Sequence, residues 1–303
     1  MSTIKTSDKI TRTSSSHLSS HISFFCGGGG SAIGAKKAGY NLIAAIDNSQ
    51  VCLETVSSNF PKADAINIDI NKLKPEWLLE RLAIKKGSIG LIDFSSPHKV
   101  FSRLKNEKIK SDYMKMKLLY KIPFFISELF PQSFVIEIDS ILTDYTYFYR
   151  IFQFRYALSQ LGYIFTQFYL SVEHHGVPQC KGRSFIVGIR KDLDKWPVIP
   201  RPFLKIINLK DIIPTAIDYH FNQNQSIWAL TGESAYCIKK QKIFLITYED
   251  GRIDYPTIDE LKKIYSFPKN YKLSGSKNEK WGMIVNAIPP MMMYHLIKKS
   301  ILY

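Results

Sequence analysis

Cysteine is scarce in this chain, with four residues among 303. They stand at positions 26, 52, 180 and 237, without the paired spacing of a disulfide framework or of a thiolate metal site. Such usage is typical of a protein from a reducing compartment. His174 and His175 are adjacent, so their imidazoles point in different directions. We interpret them as structural residues, and no metal site is predicted.

Long apolar runs are also missing. No stretch approaches the roughly 20 apolar residues of a membrane-spanning helix. Residues 1–21 contain many Ser and Thr and few large apolar side chains, which predicts a disordered basic arm rather than a signal peptide. We therefore expect no membrane partner, and a cytoplasmic location, or a nuclear one if the host is a eukaryote.

Acidic residues are few relative to basic ones. The chain has 26 Asp and Glu against 41 Lys and Arg, which gives a net charge of +15. This excess favours a polyanion partner through phosphate neutralisation, although a lysine-rich, AT-rich genome would produce the same composition. Because 45% of the 303 residues are apolar, the chain can form a large globular domain and a smaller one.

Glycine, in contrast, is concentrated at one point. The stretch 22–25, rich in β-branched and aromatic residues, is followed by Cys26, by four glycines, Gly27 to Gly30, and then by a predicted helix over 32–39. Glycine has no Cβ, so this loop lets the backbone approach a ligand closely and turn into a helix. A glycine run alone is equally typical of a flexible turn.

Two aspartates strengthen the interpretation of the loop as a ligand site. The apolar segment 41–46 ends in Asp47, where a second parallel strand would present a carboxylate to a ribose diol. A third short strand is predicted over 65–70 and carries Asp69 near its end. Either aspartate alone would be interpreted as a cap or turn residue. Together with the loop they indicate a nucleoside site at a sheet edge.

These blocks resemble the S-adenosylmethionine half of DNA (cytosine-5) methyltransferases, and further blocks agree in order up to the C-terminus. Several short motifs in a fixed order are far more specific than any one of them. The matching blocks are Phe25-x-Gly27-x-Gly29-Gly30, Ala38-Gly39-Tyr40, Ala44 to Asn48, Asn59-Phe60-Pro61, Asp69-Ile70, Phe134 to Glu137, Leu161-Gly162-Tyr163, His175 to Gln179, Phe185 to Gly188 and Asn286 to Pro290.

The resemblance implies an α/β fold with a doubly wound, mostly parallel sheet of the S-adenosylmethionine-dependent methyltransferase type. The methyltransferase-like domain would span 22–195, a small target-recognition-like domain 196–256, and a return segment 257–303 would complete the first domain with a helix around 290–299. Residues 242–251 predict a hairpin with an Asp-Gly turn. Residues 219–228, rich in Asn and Gln, are candidates for reading bases.

The resemblance also implies the site residues. S-adenosylmethionine is the expected cofactor, and the positions matching its contacts in the family are Phe25, Gly27, Gly29, Asp47, Asn48, Asp69, Ile70, Pro97 and Asn286. Glu137 matches the glutamate that hydrogen-bonds the flipped base. Lys181 and Arg183 match basic positions of the family's Gln-Arg-Arg-x-Arg segment, in which Cys180 replaces an arginine.

One departure concerns the reaction itself. At residues 95–102, where the family has Pro-Pro-Cys-Gln-x-Phe-Ser, His98 occupies the position of the nucleophilic cysteine. Three further departures accompany it. Ser23 stands in place of an aspartate, Glu-Asn-Val has become Glu137-Ile138-Asp139, and residues 103–110 are lysine-rich and lack glycine.

The sequence therefore predicts a catalytically inactive homologue of DNA (cytosine-5) methyltransferases, of the restriction-modification kind. We expect it to bind S-adenosylmethionine and double-stranded DNA and to support an active methyltransferase subunit. Two alternatives stay open at this point. One is an active enzyme that uses His98 or Cys180 as nucleophile, and the other is a regulatory protein that binds no cofactor.

Overall fold

The structure is a computed structural model that describes residues 19–95, 110–138, 148–178, 182–203, 206–217 and 246–302. Its strands are β1 Ser20–Phe24, β2 Asn41–Asp47, β3 Asp64–Asn67, β4 Leu91–Ser95, β5 Ser133–Ile138, β6 Tyr163–Ser171, β7 Gly182–Arg190, β8 Ala216–Ile217, β9 Ile246–Tyr248 and β10 Ile253–Asp254. Its α-helices are α1 Gly30–Lys37, α2 Gln50–Asn59, α3 Pro75–Arg81, α4 Lys110–Leu129, α5 Phe148–Ser159, α6 Leu209–Ile212, α7 Ile258–Ile264, α8 Lys277–Asn286 and α9 Pro290–Ser300.

The main sheet has seven strands in the order β3-β2-β1-β4-β5-β7-β6. Strands β1 to β5 pair in parallel, whereas β7 runs antiparallel to both β5 and β6. The chain proceeds from β1 to β2 and β3 on one side and then places β4 on the other side of β1. Open α/β sheets bind ligands at such a switch point, beyond the carboxyl ends of the strands. The predicted doubly wound, mostly parallel sheet is confirmed.

Apolar side chains cover both faces of this sheet. On one face, Phe24 and Phe94 stack with ring centroids 4.7 Å apart and pack in one cluster with Phe125 of α4. On the other face, Leu91 and Val135 pack in a cluster with residues of α1 and α9. Because neighbouring residues of a strand point to opposite faces, β4 and β5 contribute to both cores.

Three predicted boundaries differ from the observed ones. The disordered arm was expected to reach His21, but β1 begins at Ser20, because the Ser20 hydroxyl accepts a hydrogen bond from the Gly90 amide and His21 pairs with a buried carboxylate. Helix α1 begins at Gly30 and ends at Lys37 rather than spanning 32–39, since Gly39 has a positive φ of 103°. Strand β3 ends at Asn67, so Asp69 lies in the following turn.

The chain after β7 forms a second, three-stranded sheet in the order β10-β9-β8. The predicted hairpin is confirmed at its turn, where Gly251 has a φ of 80° and its amide donates to the Tyr248 carbonyl; residues 242–245 lie outside the described residues. Ala216 and Tyr248 belong to the same apolar cluster as residues of α2, α7 and α8. The described part of this unit therefore shares a core with the return segment.

Candidate active site

The glycine loop is held by the carboxylate of Asp47. Strand β2 ends at Asp47, and one carboxylate oxygen accepts the Gly27 amide at 2.9 Å while the other accepts the Ser49 amide at 2.9 Å. A carboxylate offers about four lone-pair sites. The arrangement therefore leaves acceptor capacity for the two hydroxyls of a ribose. Asn48, the next residue, is exposed.

The four glycines differ in what surrounds the position that a Cβ would take. A Cβ on Gly28 would lie 2.9 Å from Cβ of Met283, one on Gly29 would lie 2.4 Å from the Tyr271 hydroxyl, and one on Gly30 would lie 2.3 Å from the Ile288 carbonyl oxygen. A Cβ on Gly27 would meet only the Phe25 carbonyl, at 3.9 Å. Residues of the C-terminal segment thus occupy the Cβ positions of Gly28, Gly29 and Gly30, whereas the Cβ position of Gly27 has room.

Backbone strain marks the start of the loop. Phe25 has a φ of 55°, Gly27 one of 48° and Gly29 one of 79°. Positive φ is uncommon for a phenylalanine and costs of order 1–3 kcal/mol unless the surroundings enforce it. Here the turn is closed by the Gly29 amide, which donates to the Cys26 carbonyl at 2.8 Å. The sharp turn places Phe25 at the carboxyl end of β1.

Asp69 lies in the turn after β3, the strand that pairs with β2. The Ile68 amide donates to the Asp47 carbonyl, which ties this turn to β2. One carboxylate oxygen of Asp69 accepts both the backbone amide and the side-chain amide of Asn71, at 2.9 and 3.0 Å. Ile70 is buried with 5% exposure. The expected cofactor positions of β1, β2 and the turn after β3 therefore meet at one sheet edge.

A buried ion pair occupies the predicted base pocket. The guanidinium of Arg183 on β7 contacts the carboxylate of Glu137 on β5, and the two residues are 2% and 3% exposed. Arg183 also donates to the Ala287 carbonyl at 2.8 Å, next to Asn286 at the end of α8. The structure thus brings together three residues predicted from the sequence, Glu137, Arg183 and Asn286. Asn286 itself is exposed at this junction.

A second buried polar chain was not predicted from the sequence. His21 Nε2 lies 2.6 Å from one carboxylate oxygen of Asp93, and the Ser95 hydroxyl donates to the other at 2.9 Å. His21 and Asp93 are fully buried, and Ser95 pairs in register with Glu137. Ser23 pairs in register with Asp93, so a carboxylate lies one strand away from the position where Ser23 replaces the family's aspartate. Alternation places His21 with Ser23 on one face of β1 and Asp93 with Ser95 on one face of β4, but it does not indicate that these two strands pair.

The two described cysteines are not activated thiols. Burial raises the pKa of Cys26 well above its usual value, and the neighbouring Asp47 carboxylate raises it further. Burial likewise raises the pKa of Cys52 to about 11. Since the thiolate is the nucleophile, neither side chain can replace a catalytic cysteine in this state.

Several predicted residues lie outside the described residues. They are Pro97, His98, Cys180, Lys181, the lysine-rich segment 103–109 and the polar residues 219–228. Within the described ranges, no group of three or more His, Cys, Asp and Glu side chains could hold a metal ion. The described helices also include none that is both long and apolar enough to cross a membrane.

Comparison with solved structures defines the fold as that of a methyltransferase. The structure of Spodoptera frugiperda DNMT2 matches over 92% of this chain and 98% of its own, with a TM-score of 0.66 at 16% identity. Entamoeba histolytica methyltransferase EhMeth matches over 92% of this chain and 97% of its own, with a TM-score of 0.63 at 15% identity.

The sequence then gives the family. The profile of C-5 cytosine-specific DNA methylases matches residues 19–247, and the chain belongs to this family, which uses S-adenosylmethionine as methyl donor. The type II methyltransferase M.HgiDI of Herpetosiphon aurantiacus is 25% identical over 302 residues, covering 91% of this chain and 92% of the relative. M.MthTI of Methanothermobacter thermautotrophicus is 31% identical over 192 residues, covering 63% of this chain and 55% of the relative.

Proposed function

We propose that this protein is a DNA (cytosine-5) methyltransferase homologue that has lost methyl transfer and keeps a cofactor pocket and a DNA-binding face. The observation that carries the proposal is His98 at the position of the family's nucleophilic cysteine. C5 of cytosine is a poor nucleophile until a group adds to C6, and a thiolate is the group that adds. An imidazole would add as a neutral nucleophile and leave a cationic adduct, whereas addition of an anionic thiolate leaves no positive charge on the sulfur.

The cofactor pocket supports binding of S-adenosylmethionine or its demethylated product. When bound, this cofactor supplies an electrophilic methyl group. Asp47 would hold the ribose with its remaining lone pairs, Gly27 offers room for close approach, and Phe25 lies at the end of β1 beside them. The turn at Asp69 and the junction at Asn286 complete the set of candidate contacts.

The contacts in the base pocket support a function in which Glu137 still holds the base although the nucleophile is lost. Arg183 contacts the Glu137 carboxylate in a buried, charge-assisted pair, and this contact fixes the orientation of the carboxylate. In this function Glu137 would hydrogen-bond the Watson–Crick edge of a flipped cytosine, with Lys181 and Arg183 as neighbouring cations. Such a protein would bind double-stranded DNA and serve an active methyltransferase subunit of a restriction-modification system.

Calorimetry with S-adenosylhomocysteine tests the cofactor part of this proposal. We expect saturable binding and thermal stabilisation by the ligand. Asp47→Ala should abolish binding, because it removes the carboxylate that would hold the ribose and that holds the Gly27 amide. Asp211→Ala is a matched control, since Asp211 caps the short helix α6 in the second unit. Absence of heat and of stabilisation at millimolar ligand would contradict cofactor binding and favour a purely interacting protein.

A further inference from the structure

The return segment contacts the glycine loop at Gly28, Gly29 and Gly30 and leaves the Cβ position of Gly27 open. Residues 271–275, here called the clasp segment, connect the turn after α7 to α8. At its start, the Tyr271 hydroxyl donates to the Gly28 carbonyl at 2.9 Å, and Tyr271 is only 6% exposed. Its phenol ring packs edge-on against Phe267 with centroids 5.4 Å apart, which fixes its position.

The rest of the clasp segment is bound to helix α2. The Asn59 side chain accepts the Lys272 amide at 3.0 Å and donates to the Lys272 carbonyl at 2.7 Å. The Thr55 hydroxyl accepts the Ser274 amide at 2.9 Å, and Thr55 is fully buried. These bonds cross more than 200 positions of sequence, so they fix two distant parts of the chain to each other.

Loop and clasp segment therefore form one hydrogen-bonded unit. Asp47 holds the loop through the Gly27 amide, and Tyr271 holds it through the carbonyl of the next residue. The two bonds act on adjacent residues of a turn in which three residues have positive φ. Fixing such a turn before the ligand arrives removes an ordering cost from binding.

We propose that Tyr271 is a positioning residue for the cofactor. Its hydroxyl keeps the Gly28 carbonyl turned toward the return segment, so that Gly27 stays in the orientation in which it can approach a nucleoside. This inference rests on the proposed binding of S-adenosylmethionine. It adds a residue that touches no ligand itself and that acts through the loop.

Tyr271→Phe tests this role, because it retains the ring and removes only the hydroxyl. Calorimetry with S-adenosylhomocysteine should show an affinity about three- to tenfold weaker than that of the unmodified protein, the effect of one neutral hydrogen bond. Tyr163→Phe is the matched control. The Tyr163 hydroxyl also donates to a buried backbone carbonyl, that of Pro131, but at the amino end of β5, far from the loop.

A merely structural role would lower the unfolding temperature and leave the affinity unchanged below that temperature. We expect both variants to lose similar thermal stability, and only Tyr271→Phe to lose affinity. Asn59→Ala provides a second variant, because it releases the clasp segment from α2 at the surface and should weaken binding by a smaller factor. Equal affinities for the unmodified protein and Tyr271→Phe would overturn the inference while leaving cofactor binding intact. Absence of binding by the unmodified protein would overturn both.

Discussion

At the scale of single residues, the site combines groups that the family's chemistry needs with groups that stabilise the fold. Glu137 and Arg183 lie where both roles coincide, since they form a buried ion pair inside the predicted base pocket. Removing one partner of such a pair leaves an uncompensated buried charge and typically costs about 3–5 kcal/mol. Substitutions of these two residues therefore report on folding as much as on function.

A buried histidine pair, between the turn after β6 and helix α9, gives a prediction about pH. His175 Nδ1 lies 2.8 Å from His295 Nδ1, and the pKa of His175 is lowered to about 4 by burial, by His295 and by His174. A histidine in the unfolded chain has a pKa of about 6.5. Between that pH and about 4 the unfolded chain therefore binds the proton that the folded chain excludes, and stability falls as the pH falls.

His175→Gln should flatten this part of the pH dependence. The glutamine keeps a polar group near His295 and cannot titrate. The slope of the free energy of unfolding against pH should therefore decrease by up to about 1.4 kcal/mol per pH unit, which corresponds to one proton. Urea unfolding of both proteins at several pH values between about 4 and 7 measures the difference. Identical slopes would show that His175 does not titrate in this way.

At the scale of secondary-structure elements, the close contact of α1 and α9 positions the glycine loop. A Cβ on Gly34 would lie 2.6 Å from both Cβ of Met293 and the Pro290 carbonyl oxygen. The two helices can approach this closely only because Gly34 has no side chain. Helix α1 begins directly after the loop, so this packing fixes the direction in which the loop leaves β1.

Gly34→Ala should therefore destabilise the protein by about 1–3 kcal/mol, the usual cost of overpacking. Gly282→Ala is the control, because Gly282 lies inside α8 with no atom within 4 Å of an added Cβ. That change should stabilise by about 0.5–1 kcal/mol through helix propensity. Chemical denaturation of the two variants measures both effects, and a neutral Gly34→Ala would contradict the close packing of the two helices.

The sequence predicts elements better than it predicts the contacts between them. The apolar segments before the glycine loop and before Asp47 indicate two of the strands, and the Asp-Gly pair indicates the hairpin at Gly251. The glycine run alone does not say which positions face other parts of the protein, whereas in the structure Met283, Tyr271 and Ile288 lie against the Cβ positions of Gly28, Gly29 and Gly30. Such a contact joins residues more than 200 positions apart, and one sequence carries no record of it.

At the scale of the whole molecule, the fold and the charge point to the same partner. The profile match assigns the chain to a family of DNA methylases, and the net charge of +15 favours a polyanion. The family and the fold could be predicted from motif order. The partner subunit stays a prediction, and the charge alone predicts no target sequence, because a basic surface binds phosphates without reading bases.

DNA binding should depend steeply on salt. A plot of log affinity against log salt concentration should have a slope of about −0.9 for each phosphate neutralised. Charge reversal of Lys99, Lys105 and Lys108, which flank the position of His98 in sequence, should make this slope shallower by about one unit for each phosphate that is no longer neutralised.

Lysines at the amino ends of the central strands provide the control for this experiment. Lys85, Lys86 and Lys191 are exposed and lie at the amino end of β4, where Arg190 donates to the Gly87 carbonyl at 3.0 Å. Their charge reversal changes the net charge by the same amount and should alter the slope little, because ligands bind such sheets at the carboxyl ends of the strands. An affinity insensitive to salt would contradict a phosphate-dominated interface.

The central claim, loss of methyl transfer with the base pocket retained, is tested most directly by covalent trapping on DNA that carries 5-fluorocytosine. Fluorine at C5 blocks release of the adduct that a cysteine enzyme forms, so a working nucleophile leaves a stable protein–DNA complex. The unmodified protein should form no such complex in the presence of S-adenosylmethionine, and His98→Cys should form it. A covalent complex with the unmodified protein that disappears in His98→Ala or in Cys180→Ser would contradict the account and show an active enzyme with another nucleophile.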